Sequence, residues 1–200
     1  SAAQDIAAIQ LGYAQKGLNL CQVALGGAKE FLEWQHYPKN DLVDGISGYE
    51  FYYHSHSANE MIVGEHGHFH LFKRNGQQFH HLIGIALNQQ GMPVRLFTTN
   101  EWVTGEVMVD ARTVLLSIQD FSMAVKGRYA PLYRWIESLL KLYSAEIGSL
   151  IKARDDKLAK LMVLFGNKEL VFDSKDHHVL TECNINLMDD LSKHLSVTND

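Results

Sequence analysis

The stretch GEHGHFHLFKRNGQQFHHLIGIAL, residues 64–87, decides the fold. Its side chains alternate with a period of two, which is typical of β-strands. Asn75-Gly76, in the middle of the stretch, is a strong signal for a tight hairpin turn. We therefore predict two antiparallel strands, over residues 65–72 and 79–87.

The pattern continues on both sides of this hairpin. Residues 49–56 and 94–99 are predicted to be strands, residues 102–109 a short fifth strand or a loop, and residues 39–48 a loop. A helical period governs residues 2–35, with a break near Gly17 or at Gly26-Gly27, and returns over residues 111–125, 131–165 and 187–195. The prediction is an α+β fold in a single domain over residues 1–200. It has N-terminal helices, a central antiparallel sheet of 4–5 strands within about 49–109, and C-terminal helices packed on the sheet.

The composition excludes several classes of protein. Hydrophobic residues make up 46% of the 200 residues and charged residues 20%, which is globular and not disordered. A net charge of -5 gives no attraction for a polyanion, so we expect no nucleic-acid partner. No run of 18 apolar residues is present, so we expect no membrane span. The two cysteines, Cys21 and Cys183, lack metal-knuckle spacing and favour a reducing, cytoplasmic location.

Histidine is the unusual feature, with 11 in the chain. Residues two apart on a strand point to the same face. With Asn75-Gly76 as the loop, His70 lies opposite His81, and an even register on the other side places His54 opposite His68 and His56 opposite His66. An odd register or a bulge would divide the set. The even register brings as many as six imidazoles to one surface: His54, His56, His66, His68, His70 and His81.

Such a surface predicts a divalent metal site for zinc, iron, nickel or manganese. Three histidines at i, i+2 and i+4 span about 13 Å of strand, so one i, i+2 pair with cross-strand partners is the expected ligand set. Glu60, Glu65 and Glu106 are the candidates for proton transfer. If the protein is an enzyme, this site predicts a metal-dependent hydrolase or oxygenase.

Two alternatives do not require a metal. A face formed by Tyr52, His54, His68 and Phe72 can hold a small-molecule ligand by stacking and hydrogen bonds. The long apolar helix from Pro131 can form a homodimer, although packing against the chain's own sheet is the simpler use of it.

One spacing is similar to the first cupin motif. Gly48 is followed by His54-x-His56, then Glu60, then Gly67. In cupins the corresponding histidines and glutamate bind a metal inside a small β-barrel, so the resemblance implies His54, His56 and Glu60 as ligands. The second cupin motif, a Pro-x-Gly followed by a histidine, has no counterpart at a suitable place.

A broader resemblance rests on four segments: EWQHYP (33–38), YYHSH (52–56), GEHGHFHLF (64–72) and TTNEWVTGE (98–106). They resemble an uncharacterised bacterial family of single-domain proteins of about this length, catalogued as a domain of unknown function. The similarity covers nearly the whole chain, and EHGHFHLF is its most specific part. The resemblance implies no activity.

Overall fold

The computed structural model describes residues 1–26, 32, 35–55 and 63–196, except for the side chains of Lys39 and Asn40. Eight α-helices are described: α1 (Ala2–Ala14), α2 (Leu20–Leu25), α3 (Glu101–Thr104), α4 (Ala111–Gln119), α5 (Ala130–Leu142), α6 (Ser144–Phe165), α7 (Lys168–Phe172) and α8 (Leu187–Ser196). Two short 3-10 helices cover Gly127–Tyr129 and Lys175–His177. Six strands are described: β1 (Tyr37–Val43), β2 (Tyr49–His54), β3 (Gly67–Asn75), β4 (Gln78–Leu87), β5 (Pro93–Thr99) and β6 (Val179–Asn184).

The six strands form one antiparallel sheet in the order β1-β2-β3-β4-β5-β6. The predicted α+β class and the helices on either side of the strands in sequence are confirmed, but the sheet is larger than the predicted 4–5 strands. The extra strands are β1, predicted as a loop from its Asn, Asp and Gly content, and β6, in a stretch without clear period. Residues 102–109 contain α3 and no strand. This open meander also differs from the barrel that the cupin spacing implies.

Local capping explains where several helices begin and end. Ser1 and Asn19 each cap a helix and form a capping box with the glutamine three residues later. Asp110 accepts a hydrogen bond from the Thr113 amide at the start of α4, as its position predicts. Gly166 ends α6 in the left-handed conformation. The predicted single helix over 131–165 is instead α5 and α6, which meet at Tyr143.

One face of the sheet packs against the helices and forms the main hydrophobic core. Successive strand residues alternate between faces, so odd-numbered residues of β2 and β3 point into this core. Trp135 and Ile136 of α5 and Ile151 of α6 lie on the helical side. The strand residues of the core include Phe51, Tyr53, Phe69, Leu71, Ile83, Ile85, Leu87 and Leu96. No helix of the described residues is long and apolar enough to cross a bilayer.

Of the two alternatives for β2 against β3, the structure has the even register, with His54 opposite His68 and Tyr52 opposite His70. The predicted β3–β4 register is wrong, because Asn75 pairs with Gln78 and His70 lies opposite Gly84. The two-residue loop is therefore Gly76-Gln77, with Gly76 at φ 64°. A positive φ at only the first central residue is the pattern of a type II′ turn, which favours glycine there.

A bulge shifts the register between Leu71 and Phe72, so that Phe72 pairs with His81 and Leu71 with Ile83. Because of the extra residue, Leu82, both Ile83 and Leu82 join the hydrophobic core. His81 stays on the face of Phe72, which is also the face of His68 and His70. His81 therefore lies on the histidine face as predicted, but opposite Phe72 and not opposite His70.

Candidate metal centre

Three histidines converge on the sheet face opposite the helices. His54 ends β2 directly opposite His68 of β3, and His70 follows two residues later on the same side. One ring nitrogen from each lies within 4.8 Å of the other two. The ring centroids are 4.4 Å apart for His54 and His68 and 4.7 Å for His68 and His70. We call His54, His68 and His70 the histidine triad.

The triad lies below the molecular surface. His68 is 8% exposed, His70 is 1% exposed and His54 is half-buried. Phe97 packs its ring edge-on against His68 and His70, with centroids 5.2 and 5.7 Å away. A largely dry site strengthens electrostatic interactions between its groups and an ion.

His81 lies behind the triad and contacts His70. Its Nε2 is 2.9 Å from His70 Nδ1, and its Nδ1 is 3.3 Å from Thr99 Oγ1. Burial, with a smaller effect of the Arg154 charge, lowers the pKa of His81 to about 3, so this imidazole is neutral near pH 7. The structure therefore places His81 next to the triad but not in the group of three nitrogens.

Glu106 is buried beside His81. Its Oε2 accepts a hydrogen bond of 2.5 Å from the His81 amide, and its Oε1 lies 3.2 Å from the Thr104 hydroxyl and 3.5 Å from the Thr99 hydroxyl. Desolvation raises the pKa of Glu106 to about 8. The carboxyl stands behind His81, on the far side from the triad.

Glu65 is in a buried ion pair on the same sheet face. Arg95 donates to both carboxylate oxygens, at 2.6 and 3.0 Å, and also reaches Glu182 at 2.6 Å. The guanidinium lies over the Phe97 ring, 4.6 Å from its centroid. The Glu65 oxygens are therefore bound to Arg95, and a role in proton transfer requires that this pair opens.

His66 does not share the triad's face, although the sequence predicts that it does. Its Nδ1 is 2.8 Å from the hydroxyl of Tyr53, whose ring lies in the helix-side core. Tyr53 in turn contacts the thiol of Cys21 at 3.4 Å. Strand β3 begins only at Gly67, so the alternation that relates His68 to His70 does not extend back to His66. The remaining candidates, His56 and Glu60, lie outside the described residues.

Sequence reasoning missed two residues near the triad, His36 and Arg95. His36 stacks on Tyr52 with a centroid distance of 3.6 Å and pairs through Nδ1 with Asp41 Oδ1 at 3.0 Å. The sequence carries no strand signal for β1, so it does not predict this contact of His36. Arg95 had a usable signal, since a lone arginine in the apolar run of residues 93–99 needs a buried carboxylate.

Comparison with known proteins gives the family and no activity. No curated protein and no solved structure matches the chain. A family model described as a domain of unknown function, DUF6969, matches residues 1–185. The chain therefore belongs to the DUF6969 family.

Proposed function

We propose that the protein binds one divalent metal ion through His54, His68 and His70, and that this ion is the centre of an active site. One observation carries the proposal: three imidazoles from two paired strands offer nitrogens within 4.8 Å of one another on a buried face. A chance surface cluster of histidines would not be expected to be held by strand register and walled by an aromatic ring.

The spacing of the three ring nitrogens fits a single small ion if the nitrogens move slightly closer together. Nitrogens bound about 2.1 Å from a tetrahedral zinc lie about 3.4 Å from one another. Small rotations of the three rings about their side-chain bonds bring a set within 4.8 Å to that spacing. The strand register already places His54 directly opposite His68.

Among the described residues, which do not include His56 and Glu60, the number of ligands favours a catalytic over a structural site. Structural zinc sites have four protein ligands, whereas catalytic sites have three and leave a position for water or substrate. Three neutral imidazoles leave the charge of a divalent ion uncompensated, and such an ion acidifies bound water. We therefore propose a zinc-type, water-activating hydrolase ahead of an oxygenase, whose iron site typically includes a carboxylate.

The two described candidate carboxylates, Glu65 and Glu106, support this order. Glu65 is held by Arg95, and Glu106 stands behind His81. Neither supplies a carboxylate ligand among the three nitrogens. Iron, nickel and manganese remain proposals for the ion, since imidazole also binds these metals.

The experiment is zinc titration by calorimetry of tag-free protein after chelator treatment, with cobalt(II) absorption as the report of geometry. We expect one site per chain, and at least a hundredfold weaker binding for His68→Ala and His70→Ala. His178→Ala and His194→Ala remove exposed histidines as matched controls, and we expect no change. Equal zinc affinity in all five proteins would contradict the proposal.

A ligand-binding face without metal is the second candidate. Its supporting observation is the stacking of Tyr52 between His36 and Phe72, with centroids 3.6 and 5.5 Å away. A parent protein that binds no metal, but whose melting temperature rises with a planar aromatic compound, would favour it.

Three further expectations stay predictions: a homodimer, a single domain over residues 1–200 and a cytoplasmic location. The mass of the protein in solution tests the homodimer.

A further inference from the structure

A buried chain of polar groups runs from the triad into the protein. It begins at His70 Nδ1, passes through both ring nitrogens of His81 and the Thr99 hydroxyl, and ends at Glu106. His70, His81, Thr99 and Glu106 are each at most 3% exposed. The last two steps, at 3.3 and 3.5 Å, are long, whereas the His70–His81 step is 2.9 Å.

The direction of the hydrogen bonds follows from the Glu106 end. The His81 amide and the Thr99 hydroxyl donate toward this carboxyl. When Glu106 is protonated, the nearer Thr104 hydroxyl, 3.2 Å from Oε1, accepts its proton, and the Thr99 hydroxyl still donates to the carboxyl. Because the Thr99 hydrogen points to Glu106, its oxygen accepts from His81 Nδ1–H. A neutral imidazole with a proton on Nδ1 has an acceptor at Nε2, so His70 Nδ1–H donates to His81.

This direction determines which nitrogen of His70 can bind an ion. A proton on Nδ1 leaves the lone pair on Nε2, which is the form that ligates a metal. Metal-binding histidines usually donate their other N–H to such a partner, which fixes the ring orientation and makes the ligand more basic. Phe72 restrains His81 from one side, with ring centroids 5.3 Å apart.

We infer that His81, backed by Thr99 and Glu106, is a positioning residue that fixes the tautomer and orientation of His70 for metal binding. This role rests on the proposed metal site. The bulge in β4 lets His81 share the face of Phe72 while Ile83 lies opposite Leu71 in the core.

The first test needs no variant. Long-range ¹H–¹⁵N correlation spectra of the chelator-treated protein report which nitrogen of each histidine carries the proton, and His70→Gln identifies the His70 signals. We expect His70 with its proton on Nδ1 and His81 likewise. A His70 ring protonated on Nε2, or one that exchanges between the two tautomers, would overturn the inference.

The second test separates positioning from folding. In His81→Phe the ring remains but the acceptor is lost, and we expect zinc binding 10–100-fold weaker. In His81→Gln an oxygen takes the place of Nε2, and we expect most of the affinity to return. His80→Phe is the matched control, since the adjacent His80 contacts Ser117 on the helical side. It should lower the melting temperature without changing zinc affinity.

The outcomes distinguish the two proposals. A parent that binds no zinc overturns the metal site and this role of His81 with it. A parent that binds zinc, with His81→Phe binding equally well, overturns only the positioning role. The positioning role is also overturned if His80→Phe weakens zinc binding as strongly as His81→Phe does, because the loss of affinity would then reflect only the lower stability of both variants.

Discussion

At the scale of single residues, Gly84 shows how closely the triad is packed. A β-carbon at this position would lie 2.3 Å from the Phe97 ring, and that ring contacts His68 and His70. We expect Gly84→Ala to lower the free energy of unfolding by roughly 1–3 kcal/mol through overpacking. Denaturant unfolding measures this.

Gly148, in the second turn of α6, is the control for Gly84→Ala. A β-carbon there meets no atom within 4 Å. Alanine lowers the entropy of the unfolded chain and favours the helix, so Gly148→Ala should stabilise the protein by roughly 0.5–1 kcal/mol. A Gly84→Ala protein as stable as the parent would show that Phe97 is not held against the histidines.

Glu106 predicts an unusual dependence of stability on pH. Its pKa is raised to about 8 by burial, above the ordinary value of about 4.3 in the unfolded chain. The folded state therefore binds more protons between these values, and its stability falls as the pH rises through them. Burial lowers the pKa of His66, His80 and His81, so these groups cost stability only as the pH falls below about 6.5.

Stability of the chelator-treated protein should consequently be greatest near pH 6.5. Above that pH Glu106 is the group of these four that lowers stability, and we expect the parent to lose roughly 1–2 kcal/mol relative to Glu106→Gln by pH 8.5. Urea unfolding at pH 6.5, 7.5 and 8.5 measures it. Glu106→Gln should remove the decline and the exposed Glu169→Gln should not. Identical pH slopes in the parent and Glu106→Gln would refute the assignment.

At the scale of elements, Arg95 of β5 forms ion pairs with Glu65, in the segment before β3, and with Glu182 of β6. The side chains of Arg95 and Glu65 are 8% and 9% exposed, so water cannot take the place of either partner if the other is removed. Arg95→Met leaves the Glu65 carboxylate buried and unpaired, and we expect a loss of about 3–5 kcal/mol.

Thermal and urea unfolding test this ion pair. Adding Glu65→Gln to Arg95→Met removes the unpaired charge and should restore part of the loss. Lys141→Met breaks an exposed pair with Glu137 on α5 and should cost about 0.5 kcal/mol or less. Equal losses for Arg95→Met and Lys141→Met would contradict the buried role of Arg95.

The elements also show what the sequence could reveal. Alternation over residues 64–87 predicted β3 and β4. It left two registers open for β2 against β3, one of which places His54 opposite His68 as observed. The bulge at Leu82 and the Gly76-Gln77 turn were not predicted, because strict alternation was assumed from Phe79 to Leu87, whereas the adjacent Leu82 and Ile83 both lie in the core. Tyr143 carries no helix-breaking signal, yet its hydroxyl bonds Asp190 at 2.9 Å where α5 ends.

At the scale of the whole molecule, the two faces of one sheet have different tasks. The helices pack on the face of Phe51, Tyr53, Phe69 and Leu71, and this face supplies the core. The opposite face carries the triad and the Arg95 ion pairs. The sequence predicted a histidine face but assigned His66 to it, because it placed the start of β3 at residue 65 and not at Gly67. Gly67 has no room for a side chain, since a β-carbon there would lie 2.4 Å from the His54 carbonyl oxygen.

The most direct test is a crystal structure of the protein grown or soaked with zinc, with anomalous difference maps on both sides of the zinc absorption edge. The account predicts one strong peak about 2.1 Å from a nitrogen of each of His54, His68 and His70. It also predicts that His70 binds through Nε2 while Nδ1 keeps its contact with His81. A fully zinc-exposed crystal with no peak at the triad, or with zinc bound only by other histidines, would contradict the account.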